Sequence, residues 1–419
     1  MFARQMNRAR QPLSSGDGRD ILIVVGSLQV GGTETHIAAI APALQRLNWK
    51  VSVYSLSGTG PLQAVLERQQ VKVIVPPVAR RSSSFSGLLT ALKLLVTTGH
   101  LLLQMIGKRP AMVHFFLPEA YLVGGVLAFV ARLPVRVMSR RSLNVYSQHR
   151  PFVRAMEIRL HRTMTAILGN SRSVVRELYD VEHVPADRLG LIYNGIDAEA
   201  FYRPAARAAA RTALGLAPEA VALITVGNLI PYKGHADLIE ALRLCAGKLP
   251  AGWRVFIVGR DDGIGADLRR QADAAGLVAN IVFLGQRRDI ADLLSACDIG
   301  LLCSHQEGFS NAVLEGMAAG LPMIVTDVGG NREAITDGEC GLVVPPRNSA
   351  RLGQAIAELA NDGALRARCG AAARRRVLDH FSLDACVAKY DRLYRALREG
   401  GGLADCPELQ VAAENMAAA

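Results

Sequence analysis

The sequence predicts an α/β protein built from two Rossmann-like, doubly wound parallel-sheet domains. Two series of short, β-branched apolar runs support this, the first opening with "ILIVVGS" at residue 21 and the second with "VALITVGN" at residue 221. Many of the runs end at or near a glycine and are followed by a helical stretch, an alternation typical of parallel sheets covered on both faces. Half of the 419 residues are apolar, which is enough for two cores.

Each series contains six predicted strands in chain order. The first consists of "ILIVVGS", "VSVYSL", "VKVIVP", "AMVHFF", "VRVMS" and "TAILGN"; the second consists of "VALITVGN", "WRVFIVG", "NIVFLG", "DIGLLC", "MIVTD" and "GLVVP". An Asn-Gly turn and Pro204 interrupt the pattern between the two series, so we place the domain boundary near residue 202. The predicted parts are a disordered tail (1–19), an N-terminal domain (20–202), a C-terminal domain (203–380), a C-terminal helix (381–398) and a flexible tail (399–419).

Cysteine usage and the N-terminal residues favour a cytoplasmic protein without a structural metal. None of the seven cysteines forms a Cys-x-x-Cys pair, and no cluster has the spacing of a zinc site. The first twenty residues are polar and Arg-rich, and the apolar run after them is too short for the core of a signal peptide.

Positive charge is concentrated in the first half of the chain. Residues 1–205 contain 25 Lys+Arg and 12 Asp+Glu, and 25 − 12 gives a net charge of +13, against +11 for the whole sequence. A solvated basic face is one interpretation; an anionic membrane surface at the inner side of a membrane, or a phosphate-bearing acceptor, is the other. We do not expect a nucleic-acid partner.

Residues 86–108 are predicted to form an amphipathic helix. Polar residues recur at every third or fourth position and the leucines form a broad apolar face. Burial of the leucines in the core is the favoured interpretation, and a helix on a membrane surface is the alternative. A bilayer span is disfavoured, because Lys93 and His100 interrupt the apolar run.

Loops that follow the strands are the candidate binding sites, because ligands of open parallel sheets bind beyond the carboxyl ends of the strands. After the first strand, Gly31 and Gly32 precede a helix and allow a phosphate to approach the backbone closely, although a tight turn explains them equally. Lys233 follows the first strand of the second series and offers a mobile positive charge to a diphosphate; a solvated lysine is the alternative.

The stretch "EGFSNAVLEGMAAGLP" predicts a helix over 311–319 with Ser310 as its N-cap and Gly320 as its stop. The free amides at its start would bind an anion. Glu315, just over one turn inside, would reach a ribose diol, and Glu307, before the cap, would reach hydroxyls beyond the phosphates. Stabilisation of the helix start by acidic residues is the structural alternative. A fourth loop, "TDVGGNREAI", again places glycines between a strand and a short helix.

Five blocks together resemble the retaining glycosyltransferases of family 4, which have the two-domain GT-B fold. The 307–322 stretch resembles the family's signature of two glutamates separated by seven residues. "GGTETH", "YNGID", "VGNLIPYKGH" and "TDVGGNREAI" resemble its other blocks in the family's order.

The resemblance implies transfer of a sugar from a nucleotide diphosphate sugar to an acceptor hydroxyl, in a cleft between two facing domains and without a required metal or cofactor. The acceptor would be a glycan or a lipid-linked molecule in polysaccharide or glycolipid synthesis. Lys233 would bind the diphosphate and Glu307 the donor sugar, as the catalytic residues, while Glu315 would bind the ribose. Gly31 and Gly32 would shape the cleft. The remaining donor contacts would be amides around Phe309, Ser310, Asn311 and Ala312.

Two positions depart from the family's pattern. Asn228, a donor-binding position, stands where many members have an arginine five residues before the lysine. Phe116 replaces the second histidine of a His-x-His pair, which makes a structural role for His114 the favoured one. On the acceptor side we therefore name His114 together with Arg140 and Arg141. A nucleotide-sugar epimerase or hydrolase of the same fold, or a non-catalytic nucleotide-sugar-binding protein, are the alternative functions.

Overall fold

A computed structural model describes residues 18–78, 87–143 and 150–411. The predicted N-terminal tail up to residue 17 and the last eight residues of the predicted C-terminal tail lie outside the described residues. The chain divides into two compact units. Unit 1 contains Val174–Ile192, Val387–Ala419 and the chain up to Asn170; unit 2 contains Ser171–Ser173 and Tyr193–Cys386.

Thirteen strands form the two sheets in the described part of the chain. They are β1 (Asp20–Val25), β2 (Lys50–Ser55), β3 (Lys72–Ile74), β4 (Met112–Phe116), β5 (Val135–Arg140), β6 (Ala166–Gly169), β7 (Leu189–Leu191), β8 (Ala222–Val226), β9 (Arg254–Val258), β10 (Ile281–Gly285), β11 (Ile299–Leu302), β12 (Met323–Thr326) and β13 (Gly341–Val344).

Among the residues that the structure describes, sixteen α-helices connect and flank the strands. They are α1 (Gly32–Arg46), α2 (Pro61–Arg68), α3 (Gly87–Lys108), α4 (Pro118–Val130), α5 (Pro151–His161), α6 (Arg172–Asp180), α7 (Ala198–Phe201), α8 (Arg207–Ala213), α9 (His235–Cys245), α10 (Gly265–Ala274), α11 (Ile290–Ala296), α12 (Asn311–Ala318), α13 (Asn331–Ala334), α14 (Ser349–Asn361), α15 (Gly363–His380) and α16 (Leu383–Arg398).

Both sheets are parallel, and the predicted fold class is confirmed. Unit 1 has seven strands in the order β3-β2-β1-β4-β5-β6-β7, and unit 2 has six in the order β10-β9-β8-β11-β12-β13. All twelve predicted strands are present; the sequence reading missed β7, whose three residues give too short an apolar run. In each sheet the strand order reverses beside the first strand, which creates a crevice at the carboxyl ends of β1 and β4 and of β8 and β11.

The cores lie on the faces of the sheets. Along β8, Ala222 and Ile224 pack into one apolar cluster of unit 2 while Leu223 packs into another, so alternate side chains serve the two faces of the sheet. This alternation explains why the strands read as continuous apolar runs, since both faces are covered by helices.

The predicted flexible tail from residue 399 is ordered over the part that the structure describes. Leu403 and Leu409, each in a 3₁₀ turn, are fully buried in unit 1. Leu403 lies against Gly190 of β7, where an added Cβ would come within 2.8 Å of the leucine. The glycines at 400–402 therefore form a turn that returns the chain to the sheet rather than the start of a frayed end.

Candidate functional site

Lys233 and Glu307, the two predicted catalytic residues, form an ion pair in unit 2. Lys233 Nζ donates to Glu307 Oε1 at 2.6 Å, and Ser304 Oγ donates to the same oxygen at 2.7 Å. The two charged side chains are 18% and 11% exposed. Burial acts to lower the pKa of Lys233, but the Glu307 carboxylate raises it above its usual value, so the lysine is a fixed cation.

The lysine is positioned by the tight turn between β8 and α9. Lys233 ends a single 3₁₀ turn, and Gly234 follows it with a φ of 69°, a left-handed conformation that suits glycine. A Cβ on Gly234 would come within 1.9 Å of the Cys303 carbonyl oxygen at the end of β11. The two neighbouring strand ends are therefore in direct backbone contact, which brings Lys233 to the loop that carries Glu307.

The predicted helix after Ser310 is present as α12, one residue shorter than predicted. The peptide N–H groups of Asn311, Ala312 and Val313 have no acceptor inside the helix, as at any helix N-terminus. Ser310 occupies the predicted N-cap position, although its hydroxyl makes no capping hydrogen bond. The predicted stop is confirmed: Gly320 has a φ of 83° and its N–H donates to the Met317 carbonyl.

Phe309 contributes backbone rather than side chain to this loop. Its ring is 4% exposed and packs against Tyr193 and Phe381 at centroid distances of 4.9 and 5.2 Å. Asn194 Nδ2 donates to the Phe309 carbonyl at 2.9 Å and to Asn311 Oδ1 at 2.6 Å. The aromatic anchor and the Asn194 amide together fix the direction of the amides at the start of α12.

Asn194 is a positioning residue that sequence reasoning missed. It lies in the "YNGID" block, which we used only to mark the domain boundary and the family resemblance. Its contact with Phe309 joins positions 115 residues apart, so no local pattern could assign it.

The glycine loop before α13 supports the Glu307 loop from the other side. Gly330 N–H donates to the Gly308 carbonyl at 2.7 Å. Gly329 has a φ of 54°, and a Cβ there would come within 2.0 Å of the Glu307 carbonyl oxygen. The two loops are thus packed backbone to backbone, and the glycines are required by that close approach.

Glu315 lies inside α12 and is half-buried. Burial raises the pKa of its carboxyl group to about 7. Its proton occupancy therefore changes around neutral pH, an unusual property for a glutamate and one that marks candidate binding sites.

Asn228 stands in the position where an arginine was expected and, being uncharged, interacts with its neighbours through hydrogen bonds. Its side-chain oxygen accepts from the Arg260 backbone N–H at 3.3 Å, and its carbonyl accepts from His235 Nε2 at 3.1 Å. The Arg260 guanidinium in turn pairs with Asp262 at 2.6 Å on the surface.

In unit 1, Gly31 is the N-cap of α1 and lies against the Glu34 carboxylate, which an added Cβ would approach to 2.5 Å. Gly32 is the first residue of the helix and is exposed. Glu34 is 9% exposed and accepts a hydrogen bond from Ser27 Oγ at 3.2 Å. Burial raises the pKa of Glu34, although its own N–H, the Ser27 hydroxyl and the charge of Arg141 act against the rise.

The three predicted acceptor-side residues have different environments. His114 is fully buried, with hydrogen bonds to Tyr394 at 2.6 Å and to Ser139 at 2.8 Å, and burial lowers its pKa to about 3. It is a neutral structural histidine, as the sequence favoured. Arg141 is 8% exposed and its guanidinium lies 6.0 Å from the Phe116 ring centroid. Burial lowers the pKa of His36, and the charge of Arg141 lowers it further.

Arg140 belongs to a buried ion-pair cluster of unit 1. Its guanidinium donates to Glu157 at 2.6 Å and to both oxygens of Glu182, which also contacts His161 Nε2 at 2.6 Å. Burial acts to raise the pKa of Glu182, but the hydrogen bonds and charges of His161 and Arg140 lower it to about 2. Within the described residues Glu157, His161 and Glu182 have metal-like spacing, yet Arg140 already satisfies the carboxylates.

Two family models divide the chain between them. Residues 30–200 match the model "Glycosyltransferase Family 4" and residues 207–376 match "Glycosyl transferases group 1". The chain belongs to glycosyltransferase family 4. The two matched segments of this family 4 chain lie largely within units 1 and 2 respectively, and β1 precedes the first of them.

Curated relatives of this family 4 chain are named D-inositol 3-phosphate glycosyltransferases. That of Stackebrandtia nassauensis is 31% identical over 240 residues, which cover 55% of this chain and 53% of that protein. That of Streptomyces scabiei is 24% identical over 400 residues, covering 88% and 87%. Where the identity reaches 30%, the chain spans about half the length of the curated relatives it matches.

Solved structures similar to the family 4 chain share its fold. HepE of Anabaena, crystallised with UDP, is 23% identical, with a TM-score of 0.76 and coverage of 89% of this chain and 98% of that one. Sucrose-phosphate synthase of Thermosynechococcus elongatus is 20% identical, with a TM-score of 0.76 and coverage of 91% and 100%. These similarities establish the GT-B fold class.

Proposed function

We propose that this protein is a retaining glycosyltransferase that uses a nucleotide diphosphate sugar as its donor. In the reaction the bond between the anomeric carbon and the phosphate oxygen breaks and a bond to the acceptor oxygen forms. The products are the glycosylated acceptor, the nucleoside diphosphate and the proton of the acceptor hydroxyl. The observation that carries the proposal is the Lys233–Glu307 ion pair, which lies in the same unit as the N-terminus of α12.

In this proposal Lys233 stabilises the departing diphosphate. A lysine ammonium has three donors, and the contact with Glu307 uses one of them, which leaves two for phosphate oxygens. The amides at the start of α12 and the positive end of its dipole add further donors to the same anion. Preorganised donors of this kind lower the barrier most because charge develops on the leaving group in the transition state.

Glu307 and Glu315 recognise the neutral ends of the donor in this proposal. Glu307 keeps one carboxylate oxygen on Lys233 and Ser304, and its other oxygen accepts from a sugar hydroxyl. Glu315, once ionised, accepts from the ribose diol. HepE has been crystallised with UDP-glucose, so UDP-glucose is the first donor to test, with GDP and ADP sugars beside it.

The proposed acceptor is a glycan or a lipid-linked molecule handled in the cytoplasm, and contact with an anionic membrane surface is part of the same proposal. In this proposal the acceptor end of unit 1 offers Glu34, in the first turn of α1, and Arg141, which directly follows β5.

Donor binding and transfer test the proposal in two steps. Thermal shift with UDP-glucose, GDP-mannose and ADP-glucose should identify one donor that stabilises the protein. Mass spectrometry of donor incubated with a glycan and glycolipid panel should then show acceptor gaining one sugar, and no product with Lys233→Ala. Sugar conversion in donor incubated alone would identify an epimerase or hydrolase, and donor binding without any product would identify a binding protein.

A further inference from the structure

Helix α3 turns its leucines outward, contrary to the interpretation favoured by its sequence. Leu92, Leu95, Leu103 and Ile106 are 54%, 67%, 68% and 50% exposed. At 3.6 residues per turn they fall within about 80° of arc, so they form one stripe along the helix. We call these four side chains the leucine stripe. The predicted core burial of the leucines is wrong for this face.

The opposite face of α3 is already used by unit 1. Leu101 and Met105 are fully buried, and Thr97 is 6% exposed. Tyr54 of β2 donates to the Thr97 carbonyl at 3.2 Å, and its hydroxyl lies 3.0 Å from His100 Nδ1. Part of the polar stripe therefore packs on the protein, because Tyr54 offers it a hydrogen-bonding partner, and the leucine stripe is left on the outside.

Neighbouring helices extend the exposed apolar surface. Helix α3 packs against α4, and α4 against α5. On α4, Val126, Phe129 and Val130 are 40%, 56% and 60% exposed, and on α5 Phe152 is 79% exposed. With Leu94 of α3, which is 45% exposed, the described residues of these three adjacent helices present nine large apolar side chains, more than the isolated apolar residues of an ordinary soluble surface.

Cations accompany this apolar surface. Lys108 and Arg109 follow the leucine stripe, Arg132 follows α4, and Arg159 and Arg162 lie at the end of α5; all five are exposed. Acidic residues are few on these helices: α3 has none, α4 has Glu119 in its first turn, and Glu157 of α5 is buried in its ion pair with Arg140.

We propose that the leucine stripe, with the exposed residues of α4 and α5, is the surface by which unit 1 docks onto an anionic lipid bilayer. Apolar side chains flanked by Lys and Arg match the boundary between acyl chains and negatively charged headgroups. Within the described residues, Thr90–Lys108 is the one helical stretch long and apolar enough to span a bilayer, with 17% of it buried. Its hydrogen-bonded contact with Tyr54 requires it to lie on the surface instead, with one face on the protein and the other in the lipid.

Vesicle co-sedimentation of the full chain tests the proposal. Vesicles of phosphatidylcholine with about 30% phosphatidylglycerol should sediment the protein, and phosphatidylcholine alone should sediment much less. Raising the salt to about 0.5 M should weaken binding, because it screens the contribution of the arginines. The double substitution L95Q/L103Q should lower partitioning about tenfold or more at either salt concentration, since it removes apolar surface and leaves the charge unchanged.

Matched controls separate docking from general loss of hydrophobicity. Val278 and Leu378 of unit 2 are 63% and 43% exposed, so V278Q/L378Q removes similar exposed surface elsewhere and should leave partitioning unchanged. R159E/R162E should lower binding at low salt and have little effect at high salt. Circular dichroism of each variant checks folding, and the readout needs neither donor nor turnover, so it stands apart from the transfer reaction.

Three outcomes would overturn the proposal. Equal partitioning of L95Q/L103Q and the unaltered protein would show that the stripe does not contact lipid. Equal sedimentation by both vesicle types would show that the exposed Lys and Arg residues do not contribute to binding. A dimer by light scattering that L95Q/L103Q converts to monomer, without any change in vesicle binding, would assign the surface to a second copy of the chain.

Discussion

Lys233 Nζ lies 2.6 Å from Glu307 Oε1, although the two residues are 74 positions apart in the sequence. The sequence assigns the lysine to the diphosphate and the glutamate to the sugar, but the structure makes them one ion pair with mostly buried side chains. Removal of either charge therefore leaves the other charge partly buried without its partner. This lowers the free energy of unfolding by more than the net contribution of the intact pair. Stability and catalysis must be measured separately at this site.

Lys233→Met should lower turnover by about 10² to 10³, the usual effect of losing one donor to a developing anion. It should also lower the free energy of unfolding by about 1 to 3 kcal/mol, because Glu307 loses its cation. Transfer kinetics and urea unfolding of the same preparations provide both values.

The controls for this prediction use a second substitution and an exposed pair. Lys233→Met/Glu307→Gln should recover much of the stability and none of the turnover; recovery of both would show that the lysine acts only through the fold. Arg243→Met breaks the exposed pair with Glu240, whose side chains are 49% and 39% exposed, and should change stability far less than Lys233→Met does.

Glu315 should make donor affinity depend on pH near neutrality. Burial raises its pKa to about 7, and in the proposed function the ionised form binds the ribose diol. UDP-glucose, or whichever donor the screen identifies, should bind about tenfold more tightly at pH 8 than at pH 6, in proportion to the ionised fraction. Calorimetric titration with the intact sugar nucleotide avoids the terminal phosphate of a nucleoside diphosphate, which itself titrates near pH 6.

The same group should affect the stability of the unliganded protein in the opposite direction. A raised folded-state pKa means that the folded chain binds the proton more tightly, so the stabilisation is present at pH 4.5 and is lost as the pH rises through 7. The loss is at most about 3 kcal/mol. Glu315→Gln should flatten both pH profiles. Profiles that keep their shape in this variant would assign the pH dependence to another group.

Much of the fold follows from the sequence because strand runs in a doubly wound sheet are apolar on both faces. The missed strand β7 is the exception, because its three residues form an edge with little pattern of their own. The orientation of α3 could not be predicted for a different reason. Periodicity separates a polar face from an apolar one, but which face is buried depended on the Tyr54 hydroxyl, which lies 43 residues from Thr97.

At the candidate site, the sequence identified the residues that bear charge but not their mutual contacts. Lys233, Glu307 and Glu315 stand in recognisable blocks. Distant positions are joined by the ion pair, by the hydrogen bonds of Asn194 to the start of α12, and by the backbone contact of Gly329 with Glu307. The role of Arg140 depended on strand alternation. As the last residue of β5 its side chain faces Glu157 and Glu182, while the next residue, Arg141, faces the Phe116 side.

Acid stability should report the buried cluster of unit 1. The pKa of Glu182 is held at about 2 by His161 and Arg140, so its ionised form stabilises the fold above pH 4.5 and this contribution is lost as the pH falls toward 2. Glu182→Gln should lower the free energy of unfolding by about 3 kcal/mol at pH 7 and by much less at pH 2.5. Urea unfolding at the two pH values measures this; an equal deficit at both would show that packing, rather than charge, accounts for the loss.

Gly329 and Gly338 provide a matched pair of substitutions that tests how the glycine loop holds Glu307. Both have a positive φ, 54° and 76°, so alanine at either position adds left-handed strain of about 1 to 2 kcal/mol. At Gly338 the new Cβ meets nothing within 4 Å, whereas at Gly329 it comes within 2.0 Å of the Glu307 carbonyl oxygen. Gly329→Ala must therefore displace the Glu307 backbone, and Gly338→Ala need not.

Gly329→Ala should thus weaken donor binding and turnover by tenfold or more, while Gly338→Ala should lower only the melting temperature. Comparison of kcat/KM with the melting temperature for the two variants separates the effects, since the left-handed strain is common to both. Displacement of the Glu307 backbone also disturbs the ion pair between Glu307 and Lys233. Adding Glu307→Gln to Gly329→Ala should therefore lower kcat/KM by less than the two single effects combined. Full additivity would mean that the glycine loop and the ion pair act independently, and that the close approach at Gly329 serves packing alone.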